Sequence, residues 1–180
     1  MDTAHAMAEL GAPHGVAVAA REQGAGRGRR GRTWVSPSGG LWLSVVCRPR
    51  GATGMEHLSL RVGLAVAETL EQLLPGAPGI SIKRPNDLLI AGKKVAGILC
   101  EARWEGPAPS WVVVGLGLNL ANPLGEELAD IATTLAHHQI EATPDQLAEP
   151  LARAIADATL ASGPLTPEEE RKLQDRDPSA

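Results

Sequence analysis

The 180-residue chain has no Phe and no Tyr, and four Trp supply every aromatic ring. A flat ligand that needs a stacking partner therefore has few candidates, and each Trp gains weight as a site residue. Cysteine is scarce. Cys47 and Cys100 each sit in an apolar stretch, with no CxxC spacing and no nearby His partner, so they read as buried thiols with no basis for pairing them. No apolar run is long enough to span a bilayer, and the opening MDTAHAMAEL lacks the basic-then-apolar order of a signal peptide, so the expectation is a cytoplasmic protein with no membrane partner. A basic surplus is also missing: the net charge of −4 argues against a general nucleic-acid binder. The length and a hydrophobic fraction of 43% fit one soluble domain with a real core.

What is present is a sequence of short elements. Residues 4–10 have helix-forming composition and stop at Gly11, and Val16–Ala20 reads as a short strand. From Gln23 to Arg32 the chain is almost entirely Gly and Arg, which is loop composition. Leu41–Cys47 is rich in β-formers. Glu56–Leu74 carries apolar residues at spacings of three and four and ends at Pro75-Gly76, which predicts a helix. Strands are predicted at Ile80–Lys83, Leu88–Ile90, Val95–Glu101 and Trp111–Leu116, with a hairpin turn at Ala91-Gly92-Lys93 and a loop over Glu105–Ser110. Thr143-Pro144-Asp145-Gln146 has the pattern of a capping box and starts a helix, with Pro150 a candidate kink. The charged, Pro-rich residues from Gly163 onward read as a flexible tail. The sum is an α+β domain over residues 1–162, a mixed, mainly antiparallel sheet with helices packed on one face.

Three segments carry chemistry. In Gly26-Arg27-Gly28-Arg29-Arg30-Gly31-Arg32, glycines let backbone approach a ligand, and four arginines packed this densely make sense if anions sit among them. Trp34 follows at once and offers a ring to a base. The alternative, a solvated basic loop or an arginine-rich nucleic-acid segment, stays open on these residues alone. In Lys83-Arg84-Pro85-Asn86-Asp87, then Lys93-Lys94-Val95-Ala96-Gly97, cations and oxygens stand near one another, as phosphates with magnesium would require. An ordinary turn and surface lysines are the alternative there. In Val112-Val113-Val114-Gly115-Leu116-Gly117-Leu118-Asn119 a buried strand ends in glycines that deliver Asn119 to a sheet edge, without the third Gly of a dinucleotide fingerprint.

Taken together and in this order, from about Thr3 to Leu135, the segments resemble the biotin–protein ligase family. The resemblance implies a biotin/lipoate ligase-like catalytic domain that uses ATP with Mg²⁺ to form biotinyl-5'-AMP, then passes biotin to a lysine of a carboxylase's biotin carboxyl-carrier domain. It implies that Asp2, Thr3, Ala4, Gln23, Gly26, Arg27, Gly28, Arg29, Lys94 and Gly97 contact biotin. Arg29, Arg30, Trp34, Lys83, Asn86 and Asn119 would contact ATP, and Asp87 would hold magnesium. Arg27 and Lys94 would be the catalytic pair, Trp34 the ring under adenine. Asp2-Thr3-Ala4 occupies the place of the family's Ser-Thr-Asn and keeps the Thr, while Arg84 stands where the family has Trp. No N-terminal DNA-binding segment and no C-terminal β-barrel are read in the chain, so no DNA partner is expected; separately, the expected state is a monomer or homodimer. Two other functions remain open on sequence: a ligand-binding relative without catalysis, and a ligase for lipoate or octanoate.

Overall fold

In the strand Leu41–Cys47 every residue is buried, which is what a strand covered on both faces must show. The computed structural model describes residues 1–179 and explains this burial: the strand lies inside a six-stranded sheet. In chain order the elements are α1 (Asp2–Glu9), β1 (Ala17–Ala20), β2 (Leu41–Cys47), α2 (Leu58–Leu73), β3 (Ser81–Lys83), β4 (Asp87–Ile90), β5 (Lys93–Glu105), β6 (Ala108–Leu118), α3 (Pro144–Ala158) and α4 (Pro167–Asp175). The sheet order is β1-β2-β6-β5-β4-β3, and each neighbouring pair is antiparallel. The α+β expectation thus holds.

Alternation sorts the two faces. Leu41, Leu43, Val45 and Cys47 of β2, with Val112, Val114, Leu116 and Leu118 of β6, join Val62, Val66 and Leu70 of α2 and Leu147, Leu151 and Ile155 of α3 in one core. Each such side chain taken fully out of water contributes about 1.5–3 kcal/mol before entropy is charged against it. The opposite face is covered at one end by α1, where Ala4 and Ala8 pack on Val46, Trp111 and Val113. The predicted helical layer on one face is therefore α2 with α3, and α1 adds a small second layer on the other. The rest of that other face lies open to the site.

Two predicted boundaries moved. The expected loop over 105–110 is a hairpin tip: β5 and β6 pair as far as Glu105 and Ala108, with Gly106 in the left-handed region at φ 65°. This distal half is largely exposed, so no apolar alternation marked it as strand. The expected flexible tail instead contains α4. Thr166 and Glu169 form a reciprocal capping box with Pro167 at the first helical position, the same device that starts α3 at Thr143 and Gln146. Leu173 is buried in the main core. Arg61 of α2, itself buried, donates to Glu169 and to the carbonyls of Gly163 and Pro164, and Arg176 donates through both terminal nitrogens to Glu71 at 2.7 Å. Ionic anchoring replaces the apolar face that the composition lacks. Among the described residues no helix is long and apolar enough to cross a membrane.

Candidate active site

On the open face, the antiparallel register sets Gly97 of β5 directly against Gly117 of β6, and Leu99 against Gly115. Three glycines on one face leave bare backbone where side chains would otherwise stand. The indole of Trp34 occupies that patch: a Cβ at Gly117 would fall 2.6 Å from its ring, and one at Gly97 2.9 Å. Substitution at either position would evict the ring. The Trp34 Nε1–H is buried there with no hydrogen-bond partner, while the ring edge meets Trp42 at a centroid distance of 6.5 Å.

Trp34 is carried by residues 23–36, which fold back as an irregular antiparallel arm bridged at Gln23–Ser36 and Arg27–Thr33. The Trp34 N–H donates to the Gly26 carbonyl at 2.9 Å, and the Gly28 N–H to that of Arg32 at 2.7 Å. At the tip, Arg30 and Gly31 take left-handed conformations in succession, at φ 58° and 73°. Gly26 is required for a reason other than ligand approach: a Cβ there would lie 2.2 Å from the Trp34 carbonyl oxygen.

Between arm and sheet lies a cleft of about 450 Å³, a volume suited to a small-molecule ligand. Its walls carry six cationic side chains, Arg27, Arg29, Arg30, Arg32, Lys83 and Lys94, against two carboxylates, Asp2 and Asp87. Lys94 Nζ sits 2.6 Å from Asp87 and 4.9 Å from the centre of the Trp34 ring. Arg29 reaches the Asn86 side-chain oxygen at 3.3 Å, and Asn86 donates to the Ile98 carbonyl. Arg27 holds Asp2 at 2.6 Å and Glu101 at 3.0 Å. The hydrogen bond from Arg27 lowers the Asp2 pKa, and the two carboxylates together raise that of Arg27. Such a surplus of fixed cations favours a ligand, or a pair of ligands, bearing several negative charges.

Most of the predicted site residues meet here. Asp2, Gln23, Arg27, Gly28, Arg29, Arg30, Trp34, Lys83, Asn86, Asp87, Lys94 and Gly97 all line the cleft. Gln23 already accepts a hydrogen bond from Ser36 Oγ at 2.7 Å. Four predicted residues lie elsewhere. Thr3 is exposed outside the cleft, Ala4 is fully buried on the sheet-facing side of α1, and Gly26 is buried within the arm outside the cleft. Asn119 is buried with both ends of its amide used: it donates to the Thr133 carbonyl and accepts from Asn122. It thereby staples residues 119–135, whose backbone pairs with Lys94. Arg84 is exposed and lies outside the cleft. Sequence reading missed Ser44 and Glu101, and singled out Gly115 and Gly117 only as the strand end that delivers Asn119, not as cleft lining. Alternation from Gly97 would have found Glu101, since residues 97, 99 and 101 share a face.

Among the described residues no three His, Cys, Asp or Glu side chains gather as a metal cage. The donor set fits a magnesium ion that arrives on phosphates and takes one carboxylate, Asp87, from the protein. The thiols stand apart from this chemistry: burial pushes Cys47 up to about 12 and Cys100 to about 11, and neither lines the cleft.

A sequence model described as the biotin/lipoate A/B protein ligase family matches residues 5–119. The bifunctional ligase/repressor BirA of Bacillus subtilis is 42% identical over 141 residues, which cover 74% of this chain and 42% of that protein. The biotin–[acetyl-CoA-carboxylase] ligase of Paracoccus denitrificans is 49% identical over 105 residues, 58% of this chain and 44% of that one. The chain thus spans less than half the length of these relatives. The biotin protein ligase from Aquifex aeolicus, solved in complex with biotin and ATP, superposes with a TM-score of 0.74 at 31% identity, over 87% of this chain and 66% of that one.

Proposed function

The chain belongs to the biotin/lipoate A/B protein ligase family, and from that premise we propose that it performs the chemistry of a biotin–protein ligase. It activates biotin with ATP and transfers it to a lysine of a carboxylase biotin-carrier domain. The observation that carries this reading is the cleft itself, six cations around a floor of bare backbone. The reaction brings together a carboxylate and a triphosphate, which repel each other unless fixed positive charge lies between them.

In the first step a biotin carboxylate oxygen attacks the α-phosphorus of ATP, and the bond to the leaving pyrophosphate breaks. Lys94 leaves Asp87 for the α-phosphoryl oxygens, where charge builds, and Arg27 holds the incoming carboxylate. Asp87 would hold the magnesium that ATP carries, and that ion would supply positive charge to the pyrophosphate oxygens. Trp34 turns its face to adenine, and the arm over the cleft keeps water from the mixed anhydride. In the second step the carrier lysine's amine attacks the acyl carbon, the bond to the phosphate oxygen breaks, the amine sheds a proton and AMP leaves. The carrier brings the nucleophile, so no covalent intermediate on this chain is needed. The proposal sets the reaction in the cytoplasm, where ATP is available, and includes no DNA-binding role for these residues.

The test is pyrophosphate release from Mg-ATP by the purified chain, with biotin, lipoate and octanoate as parallel acids. Release that depends on biotin and exceeds that with the other acids is expected. No release from folded protein, or equal release with lipoate, would overturn the reading.

A further inference from the structure

We propose that Glu101, backed by His5 and Trp111, is a positioning residue that fixes Arg27 over the cleft, and that Asp2 holds the remaining face of Arg27 as a stand-in for the substrate's anion. The proposal rests on the reading of Arg27 as the contact for that anion.

Glu101 takes one whole edge of the guanidinium: Arg27 Nε donates to Oε1 at 3.2 Å and Nη2 to Oε2 at 3.0 Å. A paired, side-on contact of this kind sets the direction of the fork as well as its distance. Glu101 is itself held. His5 Nε2 lies 3.0 Å from Oε2, and His5 Nδ1 accepts the Trp111 Nε1–H at 3.1 Å. Because Nδ1 accepts, the ring carries its hydrogen on Nε2 and donates it to Glu101 while neutral. Trp111 is buried, packed with Ala4, Ala8 and Val113. A chain of side chains therefore runs from the packed interior beneath α1 to the arm, joining residues 74 and 106 positions apart.

The third arginine nitrogen is treated differently. Nη1 donates to Asp2 at 2.6 Å, but the Asp2 side chain is 81% exposed, against 31% for Glu101. An exposed carboxylate holds its partner weakly. Asp2 lines the cleft and Glu101 lies under the arm. A ligand anion that enters the cleft can replace Asp2 at Nη1 while the edge gripped by Glu101 stays in place.

Glu101→Gln keeps the size of the side chain and removes its charge and one acceptor. Hydrogen exchange in ligand-free protein should show the amides of residues 26–34 opening about tenfold faster, with those of β2 unchanged, and biotin KM should rise about tenfold while kcat stays within about threefold. In an Arg27→Ala background the same substitution should add nothing to KM, because its effect passes through Arg27. Wild-type exchange in Glu101→Gln, or an equal loss in both backgrounds, would overturn the positioning role. Asp2→Asn should lower biotin KM by about threefold, as removal of a competing anion requires; a rise or no change would remove Asp2 as the stand-in. Should Glu101→Gln not fold, His5→Ala carries the same readouts. Absence of biotin-dependent turnover in the wild type would sink the proposed function alone, since the exchange measurement decides the positioning role without any ligand.

Discussion

Lys94 and Asn119 show how differently two residues of similar promise behave at the scale of the single side chain. Lys94 stands over bare backbone beside Trp34, half-exposed, with Asp87 as its ionic partner. Its charge is therefore free to move to a phosphate, and its loss opens no cavity in the core. Lys94→Ala should cut biotin-dependent pyrophosphate release by about 10²–10³-fold, the usual cost of removing one fixed donor from a developing charge, with an unchanged circular dichroism spectrum. Near-normal turnover would remove Lys94 from the chemistry. Asn119 is committed to the protein: Asn119→Ala leaves the Thr133 carbonyl without its side-chain donor and takes one of two acceptors from the Asn122 amide in a buried place. A loss of about 1–3 kcal/mol is expected in denaturant unfolding, together with a weaker hold on residues 119–135. Unaltered stability would show that Asn119 is spare for a ligand. The sequence could place Asn119 at the end of a Val-rich strand, but not tell which side of the sheet edge its amide would serve.

At the scale of the element, α4 shows what composition conceals. Few of its residues are apolar, so no stripe announced a packed helix, yet Thr166-Pro167-Glu168-Glu169 repeats the starting signal of α3 and was there to be read. What holds the element is a set of ion pairs with α2 whose partners are more than a hundred residues distant, and no local pattern discloses those. The pairs give α4 a dependence on acid. The hydrogen bonds from Arg176 hold the Glu71 carboxyl below its ordinary value; for Glu169 burial pushes upward, but the bond from Arg61 and those from Thr166 outweigh it. A carboxyl depressed in the folded state lends stability above its unfolded pKa and loses it as pH falls through the folded one. Docking of α4 should therefore be intact at neutral pH and fail below about pH 4. Limited proteolysis with an acid-active protease, read as early cleavage between residues 163 and 179, checks this; uniform resistance through that range would show that Leu173 alone suffices. The Gly/Arg arm was legible in part. Its density of glycine and arginine marked a ligand loop, but the requirement at Gly26 comes from a carbonyl eight residues away and needed the structure.

At the scale of the whole molecule, one sheet divides the labour. Its α2/α3 face holds the core and its other face carries the cleft, with α1 and the arm as the walls. Along β2 and β6 the near-continuous apolar sequence made buried strands readable, though not which face each residue would serve. The meeting of Gly97 with Gly117 was not readable, because register between β5 and β6 depends on their whole length and the distal hairpin carries no apolar signal. The indole lying on that glycine pair has an optical consequence. Without Tyr, the ultraviolet emission of this protein is that of four indoles, of which Trp42 and Trp111 are buried in packed surroundings and Trp104 is far more exposed. Trp34 alone lines the cleft, with a cation beside its ring. The protein thus carries its own fluorophore at the place where a ligand must land. Titration with biotin and Mg-ATP should change the emission of the wild type and leave that of Trp34→Leu unaltered, so that occupancy can be followed by eye of the spectrometer with no label attached.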